Sequence, residues 1–150
     1  MHNPLHATVV LLAAALALPA HAANATKDEA VAIVKRAVTA VGSLGAEKAY
    51  AEFSVPTGKW VDRDLYIIVY RTDGTMLAHG ANAKQIGLNL IDRKDIDGKE
   101  FIRERMEIAK TKASFWQDYK FQNPSTKKIE PKTTYCEKLA DTLICAGVYK

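Results

Sequence analysis

LYIIVYRTDGTMLAHGANAKQIGLNL, residues 65–90, is the stretch on which the fold turns. Its first run, Leu65–Arg71, is too β-branched and aromatic to prefer a helix, and Thr72-Asp73-Gly74 supplies a short polar corner whose glycine accepts positive φ. Residues 75–79 return as the second strand, so the stretch predicts a hairpin that ends in a histidine, His79. The chain before it offers one long helix and a shorter one, and the chain after it offers a further helix and a second hairpin. The expected class is α+β: a small, curved, five-stranded antiparallel sheet with helices packed on one side.

Upstream, Thr26-Lys27-Asp28-Glu29 fits a capping box, with two acids near the positive end of the helix dipole. Ala30, Val34, Ala37 and Val41 then recur at helical spacing, and Gly42 and Gly45 are expected to stop the helix. Residues 46–53 predict a shorter helix ended by Val55-Pro56, and residues 57–64 a loop whose Trp60 is available to cap an open end of the sheet. Downstream, residues 80–90 read as a loop folded over the sheet. Asp95-Ile96-Asp97-Gly98 is a turn, and Phe101, Ile102, Arg105, Met106, Ile108 and Ala109 follow helical spacing to about Lys112, a helical connection after the second strand. Residues 115–121 alternate as a strand, Asn123-Pro124-Ser125-Thr126 is a turn, and residues 132–138 and 143–149 are the last two strands.

A chain of 150 residues predicts one domain that buries about two-thirds of the surface its unfolded form exposes. Residues 1–22 are expected to stand apart from it. An apolar run at residues 7–18, too short to span a bilayer comfortably, leads to Pro19 and the small-x-small signature Ala20-His21-Ala22, which reads as a secretory signal peptide cut after Ala22. An uncleaved membrane anchor is the alternative. The domain is then residues 23–150, exported to the periplasm. Removing residues 1–22 takes no Lys, Arg, Asp or Glu, leaves the formal charge at +4, and removes three of four histidines, so His79 is the imidazole that remains. No basic block is interleaved with aromatics, which speaks against nucleic acid as a partner. No second apolar run of spanning length follows, and the chain stops one residue after Tyr149, so an output domain is expected on a separate protein.

For catalysis the sequence offers little. It has no Gly-x-Ser-x-Gly, His-Glu-x-x-His or phosphate-binding glycine loop, and no spacing recommends a Ser/His/Asp constellation around one histidine. A non-enzymatic protein without cofactor or metal is the expectation. Asp95-Ile96-Asp97-Gly98 with Glu104 resembles part of a calcium-binding loop, but its first ligand position would be Arg93, so the turn-forming reading is preferred. Cys136 and Cys145 are the only cysteines. If Ala140-Asp141 is a two-residue turn, Leu139 faces Thr142, Lys138 faces Leu143, Glu137 faces Ile144, and Cys136 faces Cys145 directly, at the Cα separation of about 4.5 Å of a non-hydrogen-bonded pair. Export makes a disulfide the expectation, with two free thiols the alternative.

The ordered set Met76-Leu77-Ala78-His79, Ile86-Gly87-Leu88-Asn89-Leu90, Asp95-Ile96-Asp97-Gly98-Lys99 with Phe101, Trp116-Gln117-Asp118-Tyr119-Lys120, Pro131-Lys132-Thr133-Thr134-Tyr135 and Gly147-Val148-Tyr149 resembles the single Cache domain family, type 2, over roughly residues 26–150. The resemblance implies a PAS-like sheet in a stand-alone periplasmic sensory domain that binds a small organic acid and reports it to a membrane receptor or kinase, as in chemotaxis. It points to His79, Trp116, Tyr119, Lys132 and Tyr135 as ligand residues, to which the residue chemistry adds Tyr66. A carboxylate sheltered from water needs charge-assisted donors, which Lys, a phenol and an imidazole N–H provide, and its carbon end needs aromatic walls. In a regular strand Lys132 and Tyr135 point to opposite faces, so both line one pocket only if the chain is irregular after Pro131. The expected function is therefore binding of a small organic anion, such as a short carboxylate, between the sheet and residues 80–97. The rival expectation is a ligand-free periplasmic interaction module of the same fold.

Overall fold

The computed structural model describes residues 24–150, so the expected signal peptide lies outside the described residues. Helix α1 (Lys27–Leu44) begins at the expected capping box: Thr26 N–H donates to Glu29 Oε2 (2.6 Å) and Glu29 N–H to Thr26 Oγ1 (3.3 Å). It buries Ala30, Ile33, Val34 and Ala37 and runs through Gly42 to end at Gly45, whose N–H donates to Val41 O. Helix α2 (Ala46–Phe53) follows. Strand β1 (Val61–Asp62), a two-residue strand inside the stretch read as a loop, pairs with the start of β2 (Leu65–Arg71). β2 turns through Gly74, which sits at φ +93° where glycine carries no Cβ penalty, into β3 (Met76–His79). A 3-10 turn (Ala83–Gln85) leads to α3 (Phe101–Ile108), then β4 (Ser114–Gln122), β5 (Ile129–Leu139) and β6 (Thr142–Tyr149). The helical residues expected from 109 to 112 form a turn instead.

The sheet is antiparallel in the order β1-β2-β6-β5-β4, with β3 also on β2. β6 is buried along its whole length and β2 over all but its last residue, and strands buried on both faces need a layer on each. That requirement corrects the one-sided arrangement. α1 and α2 pack Ala30, Ile33, Val34 and Phe53 on the face of Ile67, Val69, Ile144, Ala146 and Val148. On the opposite face α3 presents Phe101, Ile102 and Met106 to Tyr66, Ile68, Tyr70, Phe115 and Tyr119.

Pro131 lies inside β5, earlier than that strand was expected to start, where it pairs with Lys120 of β4 and its carbonyl accepts Lys150 N–H (3.0 Å); the ladder with β6 begins one residue later, at Lys132 opposite Tyr149. The missing N–H therefore falls beyond the end of β6, where no ladder bond needs it. Asp64, buried at the end of the β1–β2 corner, accepts from Ala25 N–H (2.7 Å) and Tyr149 N–H (3.3 Å).

The second hairpin has the register read from its sequence, with Cys136 opposite Cys145, a Cα separation of 4.1 Å and a disulfide between them. Both sulfurs lie in the core on the α3 side. Closing so short a loop restricts the unfolded chain, and its reduction is expected to cost roughly 2–3 kcal/mol in the chain-entropy picture. Urea unfolding with and without a reductant measures this, and an unchanged midpoint contradicts it.

Candidate functional site

On the α3 side, residues 80–99 arch over the end of the sheet and leave a cleft of about 540 Å³. It is lined by Tyr66 and His79, by Phe121 and Ile129, and by Gln85, Arg93 and Ile96 of the covering segment. The arch is held by Asp95, whose carboxylate accepts the N–H of Asp97 (2.9 Å), Lys99 (3.0 Å) and Lys120 (3.1 Å). These bonds pull its carboxyl below the usual range against the opposing effect of burial.

His79 ends β3 opposite Ile68, and its ring stacks on that of Tyr66, with centres 5.1 Å apart. Its Nδ1 accepts two backbone N–H groups, Ala81 (3.1 Å) and Asn82 (2.9 Å). Accepting from both fixes the tautomer: Nδ1 holds the lone pair and Nε2 carries the proton, free to donate to a guest. Burial, and after it the charges of Lys132 and Arg93, push the His79 pKa down to about 3.

The neutral ring binds fewer protons than the unfolded chain does between its ordinary value of 6.5 and about 3. The stability it contributes is therefore whole above pH 6.5 and is lost as pH falls through that window, on the order of 4 kcal/mol at its end. An NMR titration of the His79 ring is expected to stay flat from about pH 8 to about pH 5, with Nδ1 unprotonated. An inflection near 6.5 would show a ring open to protonation.

Lys132 projects from β5 toward the same face and is only 1% exposed. Its Nζ donates to Tyr66 Oη (2.8 Å) and lies 4.2 Å from the Tyr66 ring centre, 4.7 Å from that of Tyr149 and 5.8 Å from that of Phe121. An aromatic cage stabilises a cation by its ring quadrupoles without neutralising it. Burial pushes the Tyr66 phenol well up despite Lys132, so Tyr66 stays a neutral phenol. The stem of Lys132 crosses the space left by Gly147 on β6: a Cβ built there would stand 2.6 Å from Lys132 Cε and 2.2 Å from Thr134 Oγ1. Tyr119, on β4, is bonded to Thr134 Oγ1 (3.2 Å) and stacked on Phe101, with centres 4.4 Å apart. Burial raises its phenol, but the charges of Lys132 and Arg105 outweigh that and its pKa is lowered.

Of the six residues singled out in the sequence, Tyr66, His79, Tyr119 and Lys132 share this face. Tyr66 and His79 line the cleft, Lys132 sits behind Tyr66, and Tyr119 lies deeper. Trp116 and Tyr135 do not join them. They stand opposite each other across β4 and β5 on the α1 side, with ring centres 5.2 Å apart and the Lys27 ammonium 5.1 Å from the Trp116 ring. β5 runs regularly through Lys132 and Tyr135, so a spacing of three residues sends them to opposite faces. Sequence reasoning missed Arg105, which is wholly buried on α3 beside Tyr119; the signal was an arginine within an apolar helical stripe. It also missed Gly147, whose signal was a glycine inside a strand of apolar residues.

The family model described as single Cache domain 2 matches residues 6–149. Among solved structures, the chain resembles a methyl-accepting chemotaxis protein from Vibrio parahaemolyticus RIMD 2210633 with a TM-score of 0.71 and 22% identity, over 82% of this chain and 87% of that one. A Cache chemosensory domain studied for its recognition of carboxylic acids aligns with a TM-score of 0.68 and 20% identity, over 81% of this chain and 91% of that one. The periplasmic sensor domain of a chemotaxis protein aligns at 0.62 and 20%, over 81% and 88%. At these identities the likeness is one of fold. No curated protein is significantly similar in sequence.

Proposed function

The chain belongs to the single Cache domain 2 family, a family of extracytoplasmic sensory domains, and from that premise we propose that it binds a small organic anion in the cleft and is read by a separate membrane receptor or kinase. The observation that carries this reading is the Lys132 ammonium: buried, caged by rings and bonded to a phenol rather than an acid, behind the Tyr66 that lines the cleft beside the neutral His79 and its N–H. A guest carboxylate supplies the missing charge, taking an ammonium, a phenol and an imidazole as donors.

The reading includes export. Residues 1–22 are removed as a signal peptide, and the domain begins at Ala23 in the periplasm. Among the described residues no helix is long and apolar enough to cross a membrane. It also assigns the domain no catalytic role.

The test is a thermal-shift screen of the purified domain against short carboxylates, amines and amino acids, followed by calorimetric titration of each hit. Carboxylates are expected to raise the melting temperature by mass action on the folded state. Stabilisation by amines alone, or by no compound, would sink the reading, and the second result would favour an interaction module that has no guest.

A further inference from the structure

The sheet is closed by its own chain along one edge and only in part along the other. Beside β3, residues 86–90 supply a further line of bonds: Gly87 N–H donates to Met76 O, Met76 N–H to Leu88 O and Leu90 N–H to Gly74 O. β4 is the opposite edge, with β5 on its inner side. Two bonds fix the parity of its backbone: Lys120 N–H leaves the sheet for Asp95 Oδ2 (3.1 Å), and Asp118 O accepts Lys99 Nζ (2.6 Å). Alternate residues of an antiparallel strand turn both backbone groups the same way, so Ser114, Trp116, Asp118 and Lys120 face outward while Phe115, Gln117 and Tyr119 bond to β5. Residues 95–99 thus cover the edge at Asp118 and Lys120, and among the described residues nothing takes the outward groups of Ser114 and Trp116. An edge left open in this way is a template for one more strand.

The side chains beside it belong to the pair that the ligand cleft leaves out. α1 lies over β2, β5 and β6, so Trp116 and Tyr135 stand half-buried at its rim, with Lys27 over the Trp116 ring. Around them Lys150 Nζ meets Asp118 Oδ2 (2.9 Å) and Tyr135 Oη donates to Glu137 Oε1 (2.8 Å). Lys27 and Lys150 balance Asp118 and Glu137, so this patch is neutral although the chain carries +4. A neutral patch selects neither an acidic nor a basic partner, and it lets two copies of a cationic chain meet without repulsion.

We infer that this edge pairs with its own copy: β4 lies antiparallel to the partner's β4 about a two-fold axis at Trp116 and joins the two sheets into one. Each Trp116 N–H donates to the carbonyl of the partner's Trp116, and Ser114 exchanges both its bonds with the partner's Asp118. Asp118 O has a second lone pair beyond the one Lys99 takes. The register is dictated by what is already committed. Centring on Asp118 would demand the Lys120 N–H that Asp95 holds, and centring on Ser114 would demand Lys112, which lies outside the strand. On the α1 side the pairing sets the indole rings side by side across the axis, a cross-strand aromatic contact, with Asp118 opposite the hydroxyl of the partner's Ser114. Such an isologous contact closes at two copies.

Analytical ultracentrifugation of the purified domain from about 1 µM to about 1 mM is expected to show monomer passing into dimer. Trp116→Lys sets two ammonium groups against each other at the axis, and Ser114→Pro removes an outward N–H while sparing the ladder to β5. Each is expected to raise the dimer dissociation constant at least about tenfold. Amide exchange of the wild type needs no substitution: protection of Trp116 and Asp118 N–H is expected to rise at least about tenfold from the dilute to the concentrated end. A protein that stays monomeric throughout overturns the self-pairing and leaves the edge to a strand of another protein. A dimer that survives both substitutions, or that forms without protecting these two amides, overturns it as well. If neither variant folds, the wild-type exchange decides.

Discussion

Gly147→Ala is expected to lower the unfolding free energy by about 3 kcal/mol or more and to abolish anion binding, although it adds only one methyl group. The new Cβ would lie 2.2 Å from Thr134 Oγ1, 2.6 Å from Lys132 Cε and 3.0 Å from Thr133 O, all three on the neighbouring strand β5. The carbonyl cannot retreat without breaking the ladder, and the hydroxyl is tied to Tyr119. Lys132 is the one neighbour with a flexible stem, so relief comes by driving it from its cage. Gly42→Ala is the control: inside α1, with nothing within 4 Å of the added Cβ, it is expected to stabilise by roughly 0.5–1 kcal/mol. Urea unfolding and calorimetric titration of both variants check the pair. A Gly147→Ala protein with wild-type stability and affinity would show that the Lys132 seat does not depend on that space.

The second large effect runs in two directions at once. Lys132→Met keeps the length and apolar stem of the side chain and removes an ammonium that no carboxylate neutralises in the free protein. Replacing a buried charge by an apolar residue of similar volume is often worth 1–4 kcal/mol, so the ligand-free variant is expected to be more stable than wild type by about 1 kcal/mol or more. Tyr66 loses its partner but lines the cleft, where its hydroxyl turns to water. Carboxylate binding is expected to weaken by about 2–5 kcal/mol, because the guest's charge then enters a sheltered site without its counterion. A variant that is less stable and binds unchanged would make Lys132 a structural donor to Tyr66 rather than an anchor.

Legibility in the sequence followed the range of the interactions. The capping box at Thr26, the Asp73-Gly74 corner and the register that sets Cys136 opposite Cys145 rest on residues a few positions apart, and each is found as read. The family resemblance drew on ordered motifs along the chain, and the fold agrees with it. The side of the sheet on which α3 lies is a long-range matter that no local pattern encodes. The full burial of LYIIVY, with no polar alternation, was nevertheless a sign that both faces would be covered. Strand parity sorts the site residues: Trp116 and Tyr119 are three apart, as are Lys132 and Tyr135, so in regular strands each pair divides between the faces. Arg105 went unread because its helical spacing marked it as core, and its charge was not weighed against that position.

Asp64 holds the residues at both ends of the described chain on one carboxylate, Ala25 through one oxygen and Tyr149 through the other, and the Asn24 amide reaches the Tyr149 carbonyl at 3.5 Å. The domain is therefore entered and left at a single point on its surface. A host protein would accept it as an insertion without spreading its own backbone apart. A circular permutant joined across that gap and opened in the turn between β4 and β5 would keep every strand pairing of the sheet.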